Sequence, residues 1–361
     1  MSAAADRQAT YSGTKDVPQN LAFDGARLAA WLEDRVEGFE GPLEARMFKG
    51  GQSNPTYLLS TPGRRYVLRR KPPGKLLASA HAVDREFRVL SALHREGFPV
   101  AEPLAYCDDD AVVGTAFYVM GHVEGRVFWV PSLPDSSPEE RAGLYDAMNE
   151  TFARLHAFDP AAIGLAGFGR PEGYVARQVK RWSEQYRASE TQEIPEMDRL
   201  MRWLPDHVPP TSRAALVHGD YRLDNLIMHP AEPRVLAVLD WELATLGDPN
   251  ADFVYHLMTW LMPAEKGGGT GTLLGLDLGR LGIPTLEDYA AAYARRMNLT
   301  EIPHFETLLA YNFFRLAAIL QGIVGRVRDG TASNANAAAM AQEVRPLAAA
   351  AWGWAVKAGA A

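Results

Sequence analysis

Asp220, Asn225 and Asp240 have the types and spacing that phosphate chemistry needs. Asp220 lies in Leu216-Val217-His218-Gly219-Asp220-Tyr221-Arg222-Leu223-Asp224-Asn225-Leu226-Ile227. Asn225 follows it by five positions, and Asp240, in Val235-Leu236-Ala237-Val238-Leu239-Asp240-Trp241-Glu242, comes fifteen positions later. One carboxylate can accept the proton of an attacking hydroxyl. An amide oxygen and a second carboxylate are hard ligands suited to Mg²⁺, which neutralises nucleotide phosphates. Apolar runs flank both motifs, the pattern of short strands that carry a polar loop to the edge of a core.

Protein kinases place a base Asp, a metal-binding Asn and a metal-binding Asp in this order. Three departures separate this chain from them. Gly219 stands where those kinases have Arg, Trp241-Glu242 replaces Phe-Gly, and no Ala-Pro-Glu segment follows. His218-Gly219-Asp220 with Asn225, answered by Asp240-Trp241-Glu242, resembles instead the aminoglycoside phosphotransferase family, which includes choline-kinase-like and other small-molecule kinases. The resemblance runs from about Phe48 to Asp252, and more loosely to Arg326. It implies an α+β, protein-kinase-like, two-lobed fold, with a small antiparallel β-sheet lobe and a larger, mostly helical one. It also implies transfer of the γ-phosphoryl of ATP, with Mg²⁺, to a small-molecule hydroxyl. Asp220 is then the catalytic base, and Asn225 and Asp240 hold the metal.

The same reading assigns the nucleotide contacts. Gly50-Gly51-Gln52-Ser53-Asn54 lies between two predicted strands, where glycines let a backbone approach phosphates and Gln52, Ser53 and Asn54 add donors. Taken alone, the segment reads better as a hairpin turn, and the downstream motifs reverse that. Arg69, on the third strand, takes the place of the kinase lysine, and Glu86 in the next helix is its partner. Arg70 should point to the opposite face. Met120, in the expected hinge Ala116–Val123, is the candidate wall of the adenine pocket. Asp224 rivals Asp220 as base, or meets the substrate. His218 supports the loop, Glu242 lies near the metal, Asp248 caps a helix and Asp252 braces the catalytic loop.

Arg315 and Arg326 are eleven residues apart on a predicted helix, close to three turns, so both fall on one face. Two such cations suit an anionic acceptor, although a solvated face is the blander reading. Tyr66–Leu77 and Ser79–Glu86 look like the kinase-like domains fused to acyl-CoA dehydrogenases. By that resemblance the acceptor is a hydroxyacyl-CoA or hydroxy acid, with an aminoglycoside or a choline-like amino alcohol second. A catalytically silent nucleotide-binding protein and a metal-dependent phosphohydrolase are the readings from other classes.

The supporting elements follow the same order. Strands are expected over Leu43–Phe48, Thr56–Ser60 and Arg65–Arg70, then a helix over Ala82–Arg95, then strands near Leu104–Cys107 and Ala116–Met120. Helices are expected after Pro138, with the Ala-rich stretch Asn334–Lys357 as the last. These elements predict a loose tail over 1–20, a nucleotide-binding lobe over 21–121 and a catalytic lobe over 122–361.

The chain has 361 residues, 47% hydrophobic, a net charge of −7 and a single cysteine, Cys107. The charge argues against general nucleic-acid binding, and one cysteine cannot form an internal disulfide. No unbroken apolar run approaches the ~18 residues of a membrane span. A cytoplasmic protein is the expectation. Nothing in the residues speaks to oligomeric state.

Overall fold

The computed structural model describes residues 8–50, 54–74, 82–263, 271–330 and 337–361. They form two compact units. One is Met1–Val130 with Ile163–Leu165 and Leu223–Ala244; the other is Pro131–Ala162 with Ala166–Arg222 and Thr245–Ala361. A single boundary after Gly121 is therefore too simple. Backbone pairing returns Leu223–Ala244 to the first unit. Strand β8 (Leu226–Met228) pairs with β9 (Val235–Val238), the Val238 N–H donates to the Pro99 carbonyl at 2.8 Å, and Arg126 and Met228 exchange two bonds of 2.8 Å.

The first unit is built on a six-stranded antiparallel sheet in the order β1-β2-β3-β4-β6-β5. Its strands are β1 Thr14–Lys15, β2 Glu44–Phe48, β3 Thr56–Ser60, β4 Arg65–Arg70, β5 Pro103–Cys107 and β6 Phe117–Gly121. Side chains alternate across a strand, so β4 turns Tyr66, Leu68 and Arg70 to one face and Val67 and Arg69 to the other. On the first face, Tyr66 and Leu68 join Tyr57, Leu59 and Leu28 and Leu32 of the helix Gly25–Glu33 in one apolar core. Arg70 is buried there and donates to the carbonyls of Val113 and Leu21, at 2.5 and 2.9 Å. The helix Val83–Arg95 supplies Glu86 to Arg69 on the other face.

The expected loose tail is in part ordered. Thr14 and Lys15 pair with Phe48 and Met47, which extends the sheet, and Arg46 binds the side chains of Thr14 and Asp16. Farther back, the Gln8 amide donates to the Val127 carbonyl at 2.9 Å, and Tyr11 stacks on Trp129. A polar sequence still docks when an open strand edge offers backbone groups that need partners.

The second unit is mainly helical, over Pro138–Ala157, Tyr174–Ser189, Pro195–His207, Pro249–Leu257, Leu286–Arg296, Phe305–Arg328 and Ala337–Lys357. Two short antiparallel strands, β7 (Ala215–Val217) and β10 (Thr245–Gly247), hold the start of the Asp220 loop. Phe152 stacks on Tyr221 at 4.0 Å and Phe253 on Tyr293 at 3.6 Å, and these rings fill the core beneath that loop. The helix Phe305–Arg328 is long and apolar enough, by length and composition, to cross a membrane, but 72% of its apolar window is buried inside the fold.

Candidate active site

Arg69 organises the site residues of the first unit. Its side chain is 9% exposed; Nε lies 2.8 Å from Glu86 Oε2, and Nη2 lies 2.6 Å from Asp240 Oδ1 and 3.5 Å from Glu242 Oε2. The Glu86 contact is an ion pair at close range, and the Asp240 contact is a hydrogen bond as well. Burial works against the charge on Arg69, but Glu86 and Asp240 outweigh it and hold the guanidinium firmly protonated. Glu86 is almost fully buried, and that burial pushes its carboxyl up. Arg69, a hydrogen bond from the Tyr118 hydroxyl (3.1 Å) and one from the Asn54 amide (2.8 Å) all favour its charged form.

Asn225 and Asp240 stand at one end of the β8–β9 pair. Leu226 faces Val238, and the Leu239 N–H donates to the Asn225 carbonyl at 2.8 Å, so the next residue, Asp240, emerges at the same end as Asn225. Asp240 has a φ of 64°, a left-handed conformation rare outside glycine, asparagine and aspartate. The turn Trp241–Leu243 follows directly, with Trp241 buried and its indole donating to the Val238 carbonyl. The strained backbone is thus clamped from both sides, as at many functional positions.

This geometry fits a magnesium ion. Around Arg69 gather three carboxylates, those of Glu86, Asp240 and Glu242, and one guanidinium leaves them with an excess of negative charge. Mg²⁺ takes oxygen ligands and commonly only one or two from protein side chains, the rest being water and phosphate. Asp240 and Asn225 carry ligand groups of the kind that would hold it. Among the described residues no group of three or more His, Cys, Asp or Glu is arranged to hold a metal.

Asp220 belongs to the second unit. Its loop is braced from below by Asp252, whose carboxylate accepts the backbone N–H groups of His218 and Gly219 at 2.7 and 2.9 Å. His156 Nε2 lies 3.3 Å from the same carboxylate. Burial opposes the charge on Asp252, but these hydrogen bonds hold its carboxyl below the usual range, while burial keeps His156 down. His218 is buried and accepts the Asp220 N–H at its Nδ1, so it shapes the turn. Asp248 caps its helix through the N–H groups of Asn250 and Ala251.

Several assignments change. Asn54 is buried with its amide turned to Glu86, so it braces the ion pair and does not stand open as a phosphate donor. Gly50 runs so close to Trp129 that an added Cβ would lie 2.9 Å from the indole ring. Gly51, Gln52 and Ser53 lie outside the described residues, as does the stretch 75–81 that carried part of the acyl-CoA dehydrogenase resemblance. Met120 is buried on β6 opposite Val67. Asp224 is half-buried in the short turn Leu223–Asn225.

Arg315 is buried, donates to the Gly219 carbonyl at 3.0 Å and lies over the Tyr255 ring, while Arg326 is exposed. The two therefore do not form one open face for an acceptor. Helical spacing sets direction, but neighbouring helices decide which part of a face is covered.

Three residues escaped the sequence reading. Tyr118 faces Arg69 across β4–β6 and binds Glu86. The Tyr255 hydroxyl donates to Asp220 Oδ1 at 3.0 Å, and Arg222 Nε lies 3.3 Å from that oxygen. Tyr255 was within reach of inference. It stands three residues after Asp252 on one helix, hence on the same side as that brace.

Known proteins resemble this chain along most of its length. A model described as the phosphotransferase enzyme family matches residues 44–297. Acyl-CoA dehydrogenase family member 10 of Mus musculus is 46% identical over 347 residues, which are 96% of this chain and 32% of that protein. Family member 11 of Gallus gallus is 44% identical, over 94% of this chain and 44% of that protein. The chain thus spans less than half the length of these curated relatives. A Ralstonia eutropha crystal structure, provisionally assigned as an aminoglycoside phosphotransferase, is 48% identical with a TM-score of 0.84, covering 93% of this chain and 99% of that one.

Proposed function

The chain belongs to the phosphotransferase enzyme family and has its protein-kinase-like α+β fold, and from that premise we propose that it moves the γ-phosphoryl of ATP to the hydroxyl of a hydroxyacyl-CoA or hydroxy acid. The observation that carries the phosphotransfer reading is the Arg69 guanidinium shared between Glu86 and Asp240, at 2.8 and 2.6 Å. It gathers in one cluster a cation and carboxylates of the kinds that handle phosphates and Mg²⁺ in phosphoryl transfer.

In this reading Asp220 orients the acceptor hydroxyl and takes its proton as the oxygen attacks phosphorus. Asn225 and Asp240 hold Mg²⁺, which when bound offsets charge on the phosphates. Arg69, steadied by Glu86, aligns the nucleotide, and Met120 flanks the base. The protein supplies mostly alignment and charge, because the reaction needs little covalent help.

Two observations support an acidic acceptor. The relatives of 46% and 44% identity are named as acyl-CoA dehydrogenase family members, so a phosphotransferase segment within such a polypeptide would act on a related acyl compound. Beside Asp220 stands Arg222, a cation that disfavours a polycationic sugar. An aminoglycoside or amino alcohol is the second reading, favoured by the assignment of the Ralstonia eutropha relative.

The test is transfer of label from γ-labelled ATP, with Mg²⁺, to 3-hydroxybutyrate, its CoA thioester, kanamycin and choline in parallel. Label on the hydroxyacyl compounds, lost in Asp220→Asn, is the expected result. Label on kanamycin or choline alone overturns the acceptor. Release of phosphate with no acceptor labelled favours a hydrolase, and no turnover of any kind favours a silent nucleotide-binding protein.

A further inference from the structure

Asp220 sits on a loop, and a carboxylate on a loop turns freely about two side-chain bonds unless something holds it. The structure holds it at Oδ1. Oδ1 accepts the Tyr255 hydroxyl at 3.0 Å and lies 3.3 Å from Arg222 Nε. Tyr255 is itself fixed. Its ring lies under the Arg315 guanidinium at 4.9 Å, and Arg315 also donates to the carbonyl of Gly219, the residue before Asp220. The helices Pro249–Leu257 and Phe305–Arg328 therefore grip adjacent residues of the loop, Asp220 through its side chain and Gly219 through its backbone.

We propose that Tyr255 is a positioning residue for Asp220, fixing the carboxylate plane so that it meets the acceptor hydroxyl in one orientation. This rests on Asp220 acting as the base. Burial and the neighbouring Asp220 push the Tyr255 hydroxyl up, so it stays protonated and remains a donor at any working pH. A tyrosine that merely filled the core would not need its hydroxyl, and phenylalanine would serve as well. Near-attack geometry, by contrast, is sensitive to small misplacements of the catalytic group.

The experiment compares Tyr255→Phe, Asp220→Asn and the double variant. Turnover of γ-labelled MgATP is measured with 3-hydroxybutyryl-CoA and with water as acceptor. The Asp220 side-chain carboxyl is also followed by ¹³C NMR in Asp-labelled protein, assigned through Asp220→Asn. The expected result is a fall in kcat of roughly tenfold or more in Tyr255→Phe, the size of a lost hydrogen bond to a charged group, with the KM for MgATP unchanged. The carboxyl resonance should move, and Tyr255→Phe should add nothing in the Asp220→Asn background.

A Tyr255→Phe enzyme within twofold of wild type, with an unmoved Asp220 resonance, overturns the positioning role and leaves the base intact. If Asp220→Asn keeps wild-type turnover, the base reading falls and the catalytic meaning of this contact falls with it. The NMR arm needs no turnover, so an unmoved resonance counts against the proposal even with a poor acceptor.

Discussion

Arg69 and Asp240 are joined by a hydrogen-bonded ion pair of 2.6 Å although 171 positions separate them in sequence. Pairing of β4 into the sheet and of β9 with β8 brings them together, and Glu86 closes the cluster from the helix Val83–Arg95. A cation serves there only if its position is held, and the structure holds it from two sides.

Arg69→Met should destabilise the protein by about 3 kcal/mol, because it leaves a buried carboxylate at Glu86 without its counter-charge. Urea unfolding of the ligand-free protein measures this. Arg69→Lys should recover much of the stability but raise the KM for ATP, since an ammonium cannot fork between Glu86 and Asp240. A methionine variant as stable as wild type would show that the pair is no part of the framework.

Asp240→Asn should fold normally, because asparagine tolerates the left-handed conformation that Asp240 adopts at φ 64°. Its nucleotide binding should lose most of its dependence on Mg²⁺. Calorimetric titration of ATP at several Mg²⁺ concentrations decides the point, and an unaltered metal dependence removes Asp240 from the metal site.

Asn54→Ala distinguishes a brace from a phosphate donor. The buried amide donates to Glu86 at 2.8 Å, so its loss should lower the stability of the ligand-free protein by about 1.5–3 kcal/mol. A residue that only bound phosphate would leave that stability unchanged and alter nucleotide affinity alone.

Acid should weaken the second unit through His256. Burial lowers this histidine from 6.5 to about 4, and its ring nitrogens lie 3.0 Å from the Tyr221 carbonyl and 2.9 Å from the Tyr289 hydroxyl. Below pH ~6.5 the unfolded chain takes up a proton that the folded one refuses until about 4, so stability falls as pH falls across that window. The share is about 3 kcal/mol at 1.36 per pH unit. His156, also lowered by burial, adds in the same sense, whereas Glu86, raised by burial, acts in the opposite one. The clean measurement is therefore the difference between wild type and His256→Gln in urea midpoint at pH 7 and pH 4. Equal slopes in the two proteins would refute the assignment.

Much of the site could be read directly from the chain. The strand positions around Arg69 and the separation of Arg69 from Arg70 are consequences of short-range geometry, whereas the Glu86 partner and the Asp252 brace came from the family resemblance. Period-two alternation places residues on strand faces, and an aspartate just before a helix caps it. Asp220, Asn225 and Asp240 stood out because their side-chain types and spacing match the family pattern, and a loop and two strands carry them.

Residues 8–20, Asn54 and Arg315 mark where such reading stops. A polar N-terminal stretch looked loose because nothing local shows that β2 leaves an edge for Thr14 and Lys15 to pair with. Asn54 looked like a phosphate donor because its hydrogen-bond partner, Glu86, lies 32 residues away. Arg315 looked like a substrate contact because its spacing from Arg326 puts both on one helical face, yet it meets Gly219 and Tyr255. The sequence by itself determined which groups could do chemistry and which faces they occupy, since local backbone geometry sets both. Only the tertiary structure decided which buried donor meets which acceptor, because that depends on how distant elements pack and on the requirement that every desolvated polar group find a partner.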